Sequence, residues 1–297
     1  RENDLRRSPS PMTFAKADYE ALLERRIARV TPVSGGDIGE SVRLECEEGP
    51  SYFAKRYCDG NAQMAEAEAA SLRWLAAAKT VRVPHVIAAN AAPSPVLVLE
   101  WIDQGTRAPG FDEALGRGLA RLHGAGAPGF GYERNNFIGT LPQRNTPQPS
   151  WSDFYAHERI APQLEMATRA GHIGNELGRA LMQLIETMDQ HCGPEVRPAR
   201  LHGDLWSGNV IADERGQPCL VDPAAYAGHP EVDLSMMRLF GGFAERVFDA
   251  YREAAPLPDG TEERVGLWQL YPLLVHVNLF GGGSYVHSVA RVVRRFI

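Results

Sequence analysis

The pattern of apolar and polar positions changes character near residue 103. Before it, short alternating or wholly apolar runs are separated by glycine and proline, which is typical of strands joined by turns. After residue 105, apolar residues recur mostly every three or four positions over longer segments, which is typical of amphipathic helices. The pattern predicts a small sheet followed by a larger, mostly helical part.

The first part is predicted to hold five short strands and two helices. The helices cover residues 15–27 and 61–78, where apolar residues have helical spacing. The strands are "RVTPV", "SVRLE", "SYFAKRY" and two in "PHVIAANAAPSPVLVLEWID", of which "VLVLEW" is apolar enough to be buried.

The second part is predicted to be helical except for one hairpin. The helical segments are "FDEALGRGLARLHGAG", "WSDFYAHERIAPQLEMATRAG", "NELGRALMQLIETMDQH" and most of the chain from Val232 onward. Between them, "NVIAD" and "CLVDPA" lie on either side of a turn at residues 214–216 and are expected to pair.

That hairpin brings three oxygen-bearing side chains to one end. Asn209 stands at its entrance, Asp222 at its exit, and Asp204 in the loop just before it. Mg²⁺ prefers hard oxygen ligands and needs few from the protein when phosphates complete its octahedron, so Asn209 and Asp222 are the predicted metal ligands. Asp204 is then left to orient or deprotonate an attacking hydroxyl. A helix-capping Asp and a turn Asn would explain each residue singly, but not the trio.

A charged residue inside an apolar strand suggests a phosphate contact in the first part. Lys55 is costly there unless it is paired, and Glu68 on the following helix is the predicted partner, ahead of Glu66. A lysine held in this way can reach the α- and β-phosphates of a nucleotide. The alternative is that Lys55 extends its ammonium to solvent and Glu68 stays exposed.

Two other segments are candidates for nucleotide contact. In "VSGGDIG", Gly35 and Gly36 would let backbone amides approach phosphates, although adjacent glycines also make plain hairpin turns. At the boundary, the backbone of Glu100 and Ile102 would meet an adenine edge, with Trp101 between them. Any strand that joins two domains would look similar.

Composition and charge exclude several classes of partner. The net charge of −6 argues against nucleic acid, which is normally met by a basic surface. No run of eighteen or more apolar residues is present, so we predict no membrane partner. The four cysteines lack the spacing of a zinc site. We expect a reducing cytoplasm as the location of the protein. The sequence opens without an initiator Met, so we expect the residues up to Pro11 to be either an added segment or a disordered arm, with Met12 as a candidate natural start.

Four segments together resemble one family. These are "LHGDLWSGN", "VDPAAYAGHPEVDLSMMRLFGGF", "SGGDIGESVRL" and "NNFIGTLPQRN…WSDFYAHERIAPQLEMA". They are similar to the fructosamine kinases, or ketosamine-3-kinases, and the resemblance runs from about Val33 to Tyr285. Choline and aminoglycoside kinases share only the HGD…N and D-P residues.

The resemblance implies an α+β, protein-kinase-like bilobal fold. Residues 12–102 would form a small nucleotide-binding lobe, an antiparallel sheet with one key helix, and residues 103–297 a larger, mostly helical lobe for catalysis and acceptor binding. It further implies that ATP and Mg²⁺ serve transfer of a phosphoryl group to the 3-hydroxyl of a fructosamine, which leads to deglycation. Where the family has Val before its lysine, this chain has Ala54.

The acceptor side is less defined by the sequence. Trp206 would form a wall of the acceptor pocket, but it would be equally unsurprising as a core residue. His202 is interpreted as scaffolding and Asp233 as an anchor beneath the loop. The substrate is a small ketosamine or a glycated-protein amine, and oligomeric state is not predicted.

Two other functions stay open at this point. The first is an aminoglycoside- or choline-type kinase of the same fold. Aminoglycosides are polycations and need an acidic pocket, whereas the loop offers Trp206 and Ser207. The second is a non-catalytic nucleotide-binding module.

Overall fold

A computed structural model describes residues 15–33, 39–57, 63–90 and 95–297. The chain divides into two compact units. The first unit holds the described residues up to Glu66 together with Val86–Trp101, and the second unit holds Ala67–His85 and Ile102–Ile297. The division into lobes at residues 102 and 103 stays a prediction.

The first unit is built on one antiparallel sheet of five strands, in the order β1-β2-β3-β5-β4. Strand β5, an interior strand between β3 and β4, is almost wholly apolar, and all but its last residue are buried, as its sequence predicts. The strands are β1 (Ile27–Pro32), β2 (Glu40–Cys46), β3 (Ser51–Arg56), β4 (Val86–Asn90) and β5 (Val96–Glu100).

One helix covers part of this sheet and is shorter than predicted. Helix α1 spans Lys16–Leu23 and ends because Glu24 adopts a left-handed conformation, with φ of 51°. Ile27, which the helical spacing included, instead begins β1 and is fully buried. The predicted helix was too long because Ile27, the first residue of β1, continues the helical spacing of apolar residues. The core here comprises Tyr19, Ile27, Leu44, Tyr52, Ala54, Val96 and Val98.

The predicted helix after β3 is present as α2, Met64–Ala76. It consists of strong helix formers, chiefly alanine and glutamate, with Leu72 and Leu75 buried on one side. The exposed residues of its first turn include Glu66, whereas Glu68 is partly buried.

Helices dominate the second unit, as predicted. Helix α3 packs on α8, and the long helix α9 packs on α5, α7 and α10. Among the described residues, no helix is long and apolar enough to cross a membrane. The helices are α3 (Phe111–Gly124), α4 (Trp151–Phe154), α5 (Ala161–Arg169), α6 (Asn175–Glu186), α7 (Glu231–Phe240), α8 (Glu245–Ala254), α9 (Thr261–Phe280) and α10 (Ser284–Val293), with 3₁₀ turns at Met188–Gln190 and Ser207–Asn209.

Three short antiparallel strand pairs lie among these helices. The predicted hairpin is β9 (Val210–Ala212) with β10 (Pro218–Leu220). Two further pairs are absent from the sequence interpretation, because strands of three residues leave almost no periodic signal. These are β6 (Asn136–Ile138) with β7 (Leu141–Gln143), and β8 (Ala199–Leu201) with β11 (Tyr226–Gly228).

A π-helix interrupts the segment that was predicted as one continuous helix. It spans Tyr155–Ile160, between α4 and α5. Pro162 follows it, and its missing N–H cannot serve the Glu158 carbonyl. The side chain of Arg159 donates to that carbonyl at 3.0 Å instead, and the guanidinium is thereby held inside the core.

Candidate active site

The loop that follows β8 is held from below by one buried carboxylate. Asp233, in the first turn of α7, accepts from the backbone N–H of His202 at 2.7 Å and from that of Gly203 at 2.9 Å. The prediction that Asp233 anchors this loop is therefore confirmed. Burial would raise the pKa of Asp233, but the hydrogen bond from His123 and the nearby histidines hold that pKa below its usual range.

The buried side chain of His202 links two backbone segments by hydrogen bonds. Burial lowers its pKa, so the ring is neutral. Its Nε2–H donates to the Val221 carbonyl at 2.9 Å, and its Nδ1 accepts from the Asp204 N–H at 3.3 Å. One imidazole thus ties the backbone of Asp204 to the strand end that precedes Asp222.

Asn209 is buried and faces Asp204. Its side-chain amide donates to the Asp204 carbonyl at 2.8 Å and to Asp204 Oδ2 at 3.2 Å. The Asn209 carbonyl accepts from the Val221 N–H at 3.0 Å. The Asn209 amide nitrogen also lies 3.5 Å from the Asp222 carbonyl oxygen, so the structure brings Asp204, Asn209 and Asp222 together as the predicted hairpin requires.

Asp222 has an unusual backbone at this junction. Its φ of 52° lies in the left-handed region, which few residues other than Gly, Asn and Asp adopt. Two residues on, the Ala224 carbonyl lies so close to Gly203 that a methyl group on Gly203 would overlap it. The segment after Asp222 therefore packs directly on the loop before Asp204.

The donor set of this junction fits a hard divalent cation. The NH₂ group of Asn209 is engaged with Asp204, so the Asn209 Oδ1 is the atom left to act as a ligand. Together with the Asp222 carboxylate it supplies oxygen atoms only, which is the preference of Mg²⁺. In the described part of the chain, no group of three His, Cys, Asp or Glu side chains is arranged to hold a metal.

The residues predicted to hold the phosphates come from other elements than the loop that follows β8. Lys55 is on β3, 7% exposed, with its Nζ 5.4 Å from the centre of the Tyr57 ring. Glu68 is on α2, in the second unit, so the Lys55–Glu68 pairing stays a prediction. Gly35 and Gly36 lie outside the described residues.

The residues predicted to meet adenine lie at the end of strand β5. Glu100 ends β5, and Ile102 is buried. The Trp101 ring is covered by the Arg43 guanidinium at 4.5 Å, and its backbone N–H donates to the Ser51 carbonyl at 3.4 Å. Trp101 is thus fixed within the first unit, and its role in nucleotide contact stays a prediction.

Comparison with known proteins decides the family. The fructosamine kinase family model matches residues 13–297. The chain belongs to the fructosamine kinase family.

Relatives of this fructosamine kinase chain match over most of their length. A "probable ketoamine kinase" from Synechocystis is 40% identical, over 87% of each chain. The chloroplastic protein-ribulosamine 3-kinase of Arabidopsis thaliana is 36% identical, over 92% of this chain and 83% of its own. The solved structure of a proposed fructosamine-3-kinase from Thermobifida fusca matches with a TM-score of 0.86 at 37% identity, over 94% of this chain and 97% of its own.

The fold class is confirmed as well. An aminoglycoside phosphotransferase, crystallised with streptomycin and ATP, matches with a TM-score of 0.61 at 15% identity, which is a likeness of fold alone. The predicted α+β, protein-kinase-like architecture therefore holds for this member of the fructosamine kinase family.

Trp206, which the sequence placed either in the wall of an acceptor pocket or in the core, is not a core residue of this fructosamine kinase. It is 42% exposed and lies two residues past Asp204, with its ring against Gly208. The next residue, Ser207, packs so closely on Gly242 that a methyl group there would overlap it.

A group of partly exposed aromatic residues adjoins that contact, and the sequence interpretation missed most of it. His276 is its centre, 4.9 Å from the Phe240 ring, 5.4 Å from Phe280 and 5.0 Å from Tyr285. Phe240 is two residues before Gly242, and we call these four residues the His276 aromatic patch. The available signal was the "LFGGGSYVHS" turn, which contains two of them.

Proposed function

We propose that this protein transfers the γ-phosphoryl group of ATP to the 3-hydroxyl of a ketosamine. The observation that carries the proposal is the junction of Asp204, Asn209 and Asp222 in a chain of the fructosamine kinase family. A hydroxyl acceptor needs a base, and a phosphoryl donor needs its charge neutralised. The junction offers both within one loop.

Each residue of the junction has one role in this proposal. Asp204 accepts the proton of the 3-hydroxyl as the oxygen–phosphorus bond forms and ADP leaves. Asn209 and Asp222 would hold Mg²⁺, which would supply charge stabilisation on the phosphate oxygens. The hydrogen bonds from Asn209 to Asp204 keep the base beside the metal ligands instead of turned into solvent.

On the nucleotide side, we propose that Lys55, paired with Glu68, holds the α- and β-phosphates. The burial of Lys55 and the partial burial of Glu68 support this, because a buried ammonium needs a partner of opposite charge. Glu66 is exposed, which argues against the rival pairing. The backbone of Glu100 and Ile102, beside Trp101, would contact adenine, and Gly35 and Gly36 would cover the phosphates.

The acceptor is proposed to lie between Trp206 and the His276 aromatic patch. An exposed indole next to the base can stack on the apolar face of a sugar. Burial lowers the pKa of His276, so its ring is neutral at pH 7, and the patch offers uncharged aromatic faces. Such faces attract the protonated amine of a ketosamine.

Phosphorus NMR tests the reaction directly. The enzyme is mixed with fructosyl-lysine, ATP and Mg²⁺, and we expect a new sugar-phosphate resonance to grow as ADP forms. The matched control is Asp204→Asn, which should stay folded and form no product on the same timescale. ATP consumption without a sugar-phosphate resonance would contradict the proposal.

An acceptor panel separates the ketosamine proposal from its two alternatives. Fructosyl-lysine, ribulosyl-lysine, a glycated protein, kanamycin and choline are compared at equal concentration with ADP release as the readout. Preference for kanamycin or choline would favour the other kinase class. Tight ATP binding with no transfer to any acceptor would favour a nucleotide-binding module.

A further inference from the structure

A line of buried polar side chains in the second unit takes no part in the site described above. It includes two asparagines, a glutamine, an arginine and a tyrosine, and their exposures lie between 0% and 3%. We call them the amide ladder: Asn136, Gln143, Asn145, Arg159 and Tyr271.

The direction of every hydrogen bond in the ladder is fixed from one end. Arg159 can only donate, so the Asn145 Oδ1 must face its Nη2, at 2.7 Å. The Asn145 amide then donates to Asn136 Oδ1 at 2.8 Å. This leaves the Asn136 amide to donate to the Ala225 carbonyl, at 2.9 Å.

A second branch reaches the adjacent carbonyl. Because Asn136 Oδ1 can only accept, the amide group of Gln143 must face it, and Gln143 Oε1 accepts from the Tyr271 hydroxyl at 2.7 Å. That amide donates to Asn136 Oδ1 at 2.7 Å and to the Ala224 carbonyl at 3.0 Å. The two branches therefore end on consecutive backbone carbonyls, those of Ala224 and Ala225.

The ladder is itself fixed within the core. Arg159 also donates to the backbone carbonyls of Arg144 and Glu158, and its guanidinium lies 3.8 Å from the centre of the Tyr226 ring. Tyr271 is on α9, whereas Arg159 is on the π-helix. The supports thus come from two helices that are far apart in sequence.

The amide ladder ends next to the segment that carries Asp222. Ala224 and Ala225 follow Asp222 by two and three residues, and the Ala224 carbonyl packs on Gly203, the neighbour of Asp204. Strand pairing of β11 with β8 holds the residues beyond. The ladder therefore binds the backbone by hydrogen bonds at the place where the segment after Asp222 packs on the loop before Asp204.

We infer that the amide ladder is a positioning device that sets where the Asp222 carboxylate stands relative to Asp204 and Asn209. The inference rests on the proposed function for the role of Asp222 as a metal ligand. An apolar core would fill the same space but would hold no carbonyl in one direction. Buried amides have directional partners and cost free energy when these are missing, so they specify one backbone position.

The test measures metal binding apart from turnover. Mn²⁺ is titrated into the enzyme with a non-hydrolysable ATP analogue and followed by electron paramagnetic resonance. In Gln143→Met, which keeps side-chain length but cannot donate to the Ala224 carbonyl, we expect the Mn²⁺ affinity to fall by about 10–100-fold, as for other supports of metal ligands. The turnover number should fall in parallel, while the KM for ketosamine stays within about threefold, because the acceptor contacts are untouched.

The matched control is Gln163→Met on α5. Gln163 is equally buried, and its Oε1 accepts from Asn278 at 2.7 Å, outside the ladder. Its Mn²⁺ affinity should stay within about twofold of the wild type, which separates positioning from a general loss of packing.

A milder variant keeps the inference testable if Gln143→Met does not fold. Tyr271→Phe removes the hydroxyl that donates to Gln143 Oε1 and so loosens the Gln143 side chain, and we expect about a 3–10-fold loss of Mn²⁺ affinity, equivalent to one buried hydrogen bond. Unchanged Mn²⁺ affinity in the folded ladder variants, an equal loss in Gln163→Met, or no Mn²⁺ binding by the wild type would overturn the inference. Normal Mn²⁺ effects with no transfer to any ketosamine would refute only the proposed function.

Discussion

Two polar clusters of the second unit lie on either side of the Ala224 carbonyl, and they are built in different ways. The loop cluster of Asp204, Asn209 and Asp222 is only partly buried apart from Asn209, and it is held mostly by backbone atoms. The amide ladder is fully buried, and its members bond largely to each other. The same carbonyl meets Gly203 on one side and Gln143 on the other.

The difference separates chemistry from support. A partly open carboxylate can exchange protons and meet a ligand, and its loss need not unfold the protein. A buried amide has no water to replace a lost partner, so its loss is paid in stability or in geometry. We therefore expect substitutions in the loop cluster to affect rate, and substitutions in the ladder to affect stability and metal placement.

The largest effect is expected from Asp204→Asn. An amide has the shape of the carboxylate but cannot take the hydroxyl proton, so the turnover number should fall by about 10²–10⁴-fold. The midpoint of thermal unfolding should stay near that of the wild type. Asp249→Asn on the surface of α8 is the control and should keep full activity. A wild-type rate in Asp204→Asn would exclude it as the base.

On the ladder side, Arg159→Lys should lower the free energy of unfolding by about 3 kcal/mol. A lysine ammonium cannot reproduce the fork that serves Asn145 and the Glu158 carbonyl together. Urea denaturation followed by fluorescence measures the loss. The control is Arg169→Lys, an exposed ion pair with Glu165, which should change stability by less than about 0.5 kcal/mol. Equal stability of the two variants would contradict a supporting role for the ladder.

The buried region should also respond to pH through stability. Burial lowers the pKa of His229 from 6.5 to about 4, against the opposing charge of Glu231 and with smaller effects of Arg264 and His123. Between pH 6.5 and about 4 the unfolded chain therefore binds a proton that the folded chain refuses. The free energy of unfolding should fall by about 3 kcal/mol as the pH drops through that range.

A variant identifies His229 as the source of this dependence. His229→Gln does not titrate, so its stability should fall less between pH 6.5 and 4 than that of the wild type. Denaturation curves at several pH values provide the measurement. Parallel curves for the two proteins would assign the pH dependence to other groups.

The smallest effect is expected at the exposed edge of the loop cluster. Trp206→Ala removes an indole that is 42% exposed, so stability should change little. The KM for ketosamine should rise by about 5–10-fold, as expected for the loss of one stacking contact. Met182→Ala, at another exposed apolar side chain, should leave the KM unchanged. An unchanged KM in Trp206→Ala would remove it from the acceptor site.

The loop cluster and the amide ladder also differ in how well they could be predicted from the sequence. Asp204, Asn209 and Asp222 lie within 19 residues, and one predicted hairpin suffices to bring them together. The motifs predicted the family and the fold class, and both are confirmed. The anchoring role of Asp233 was also predicted, and the hydrogen bonds that it accepts from the N–H groups of His202 and Gly203 confirm it.

The ladder could not be predicted because its members are spread from Asn136 to Tyr271. Each looks like an ordinary polar residue, and only the packing of α9 on the π-helix region joins them. Two signals were present and unused. Pro162 inside a helical pattern marks a break, and "NNFIGTLPQRN" places many amides in a run that the strand pair β6–β7 then buries.

Gly203 carries a consequence for reading other chains of this family. Gly203 presents only a hydrogen atom to the Ala224 carbonyl, so the two backbone segments that meet there lie as close together as any residue type allows. A homologue with alanine at this position would have to move either the loop that carries Asp204 or the segment that follows Asp222. Such a chain would keep every other motif and still be expected to bind nucleotide without turning it over, so this single position offers a marker for silent members of the family.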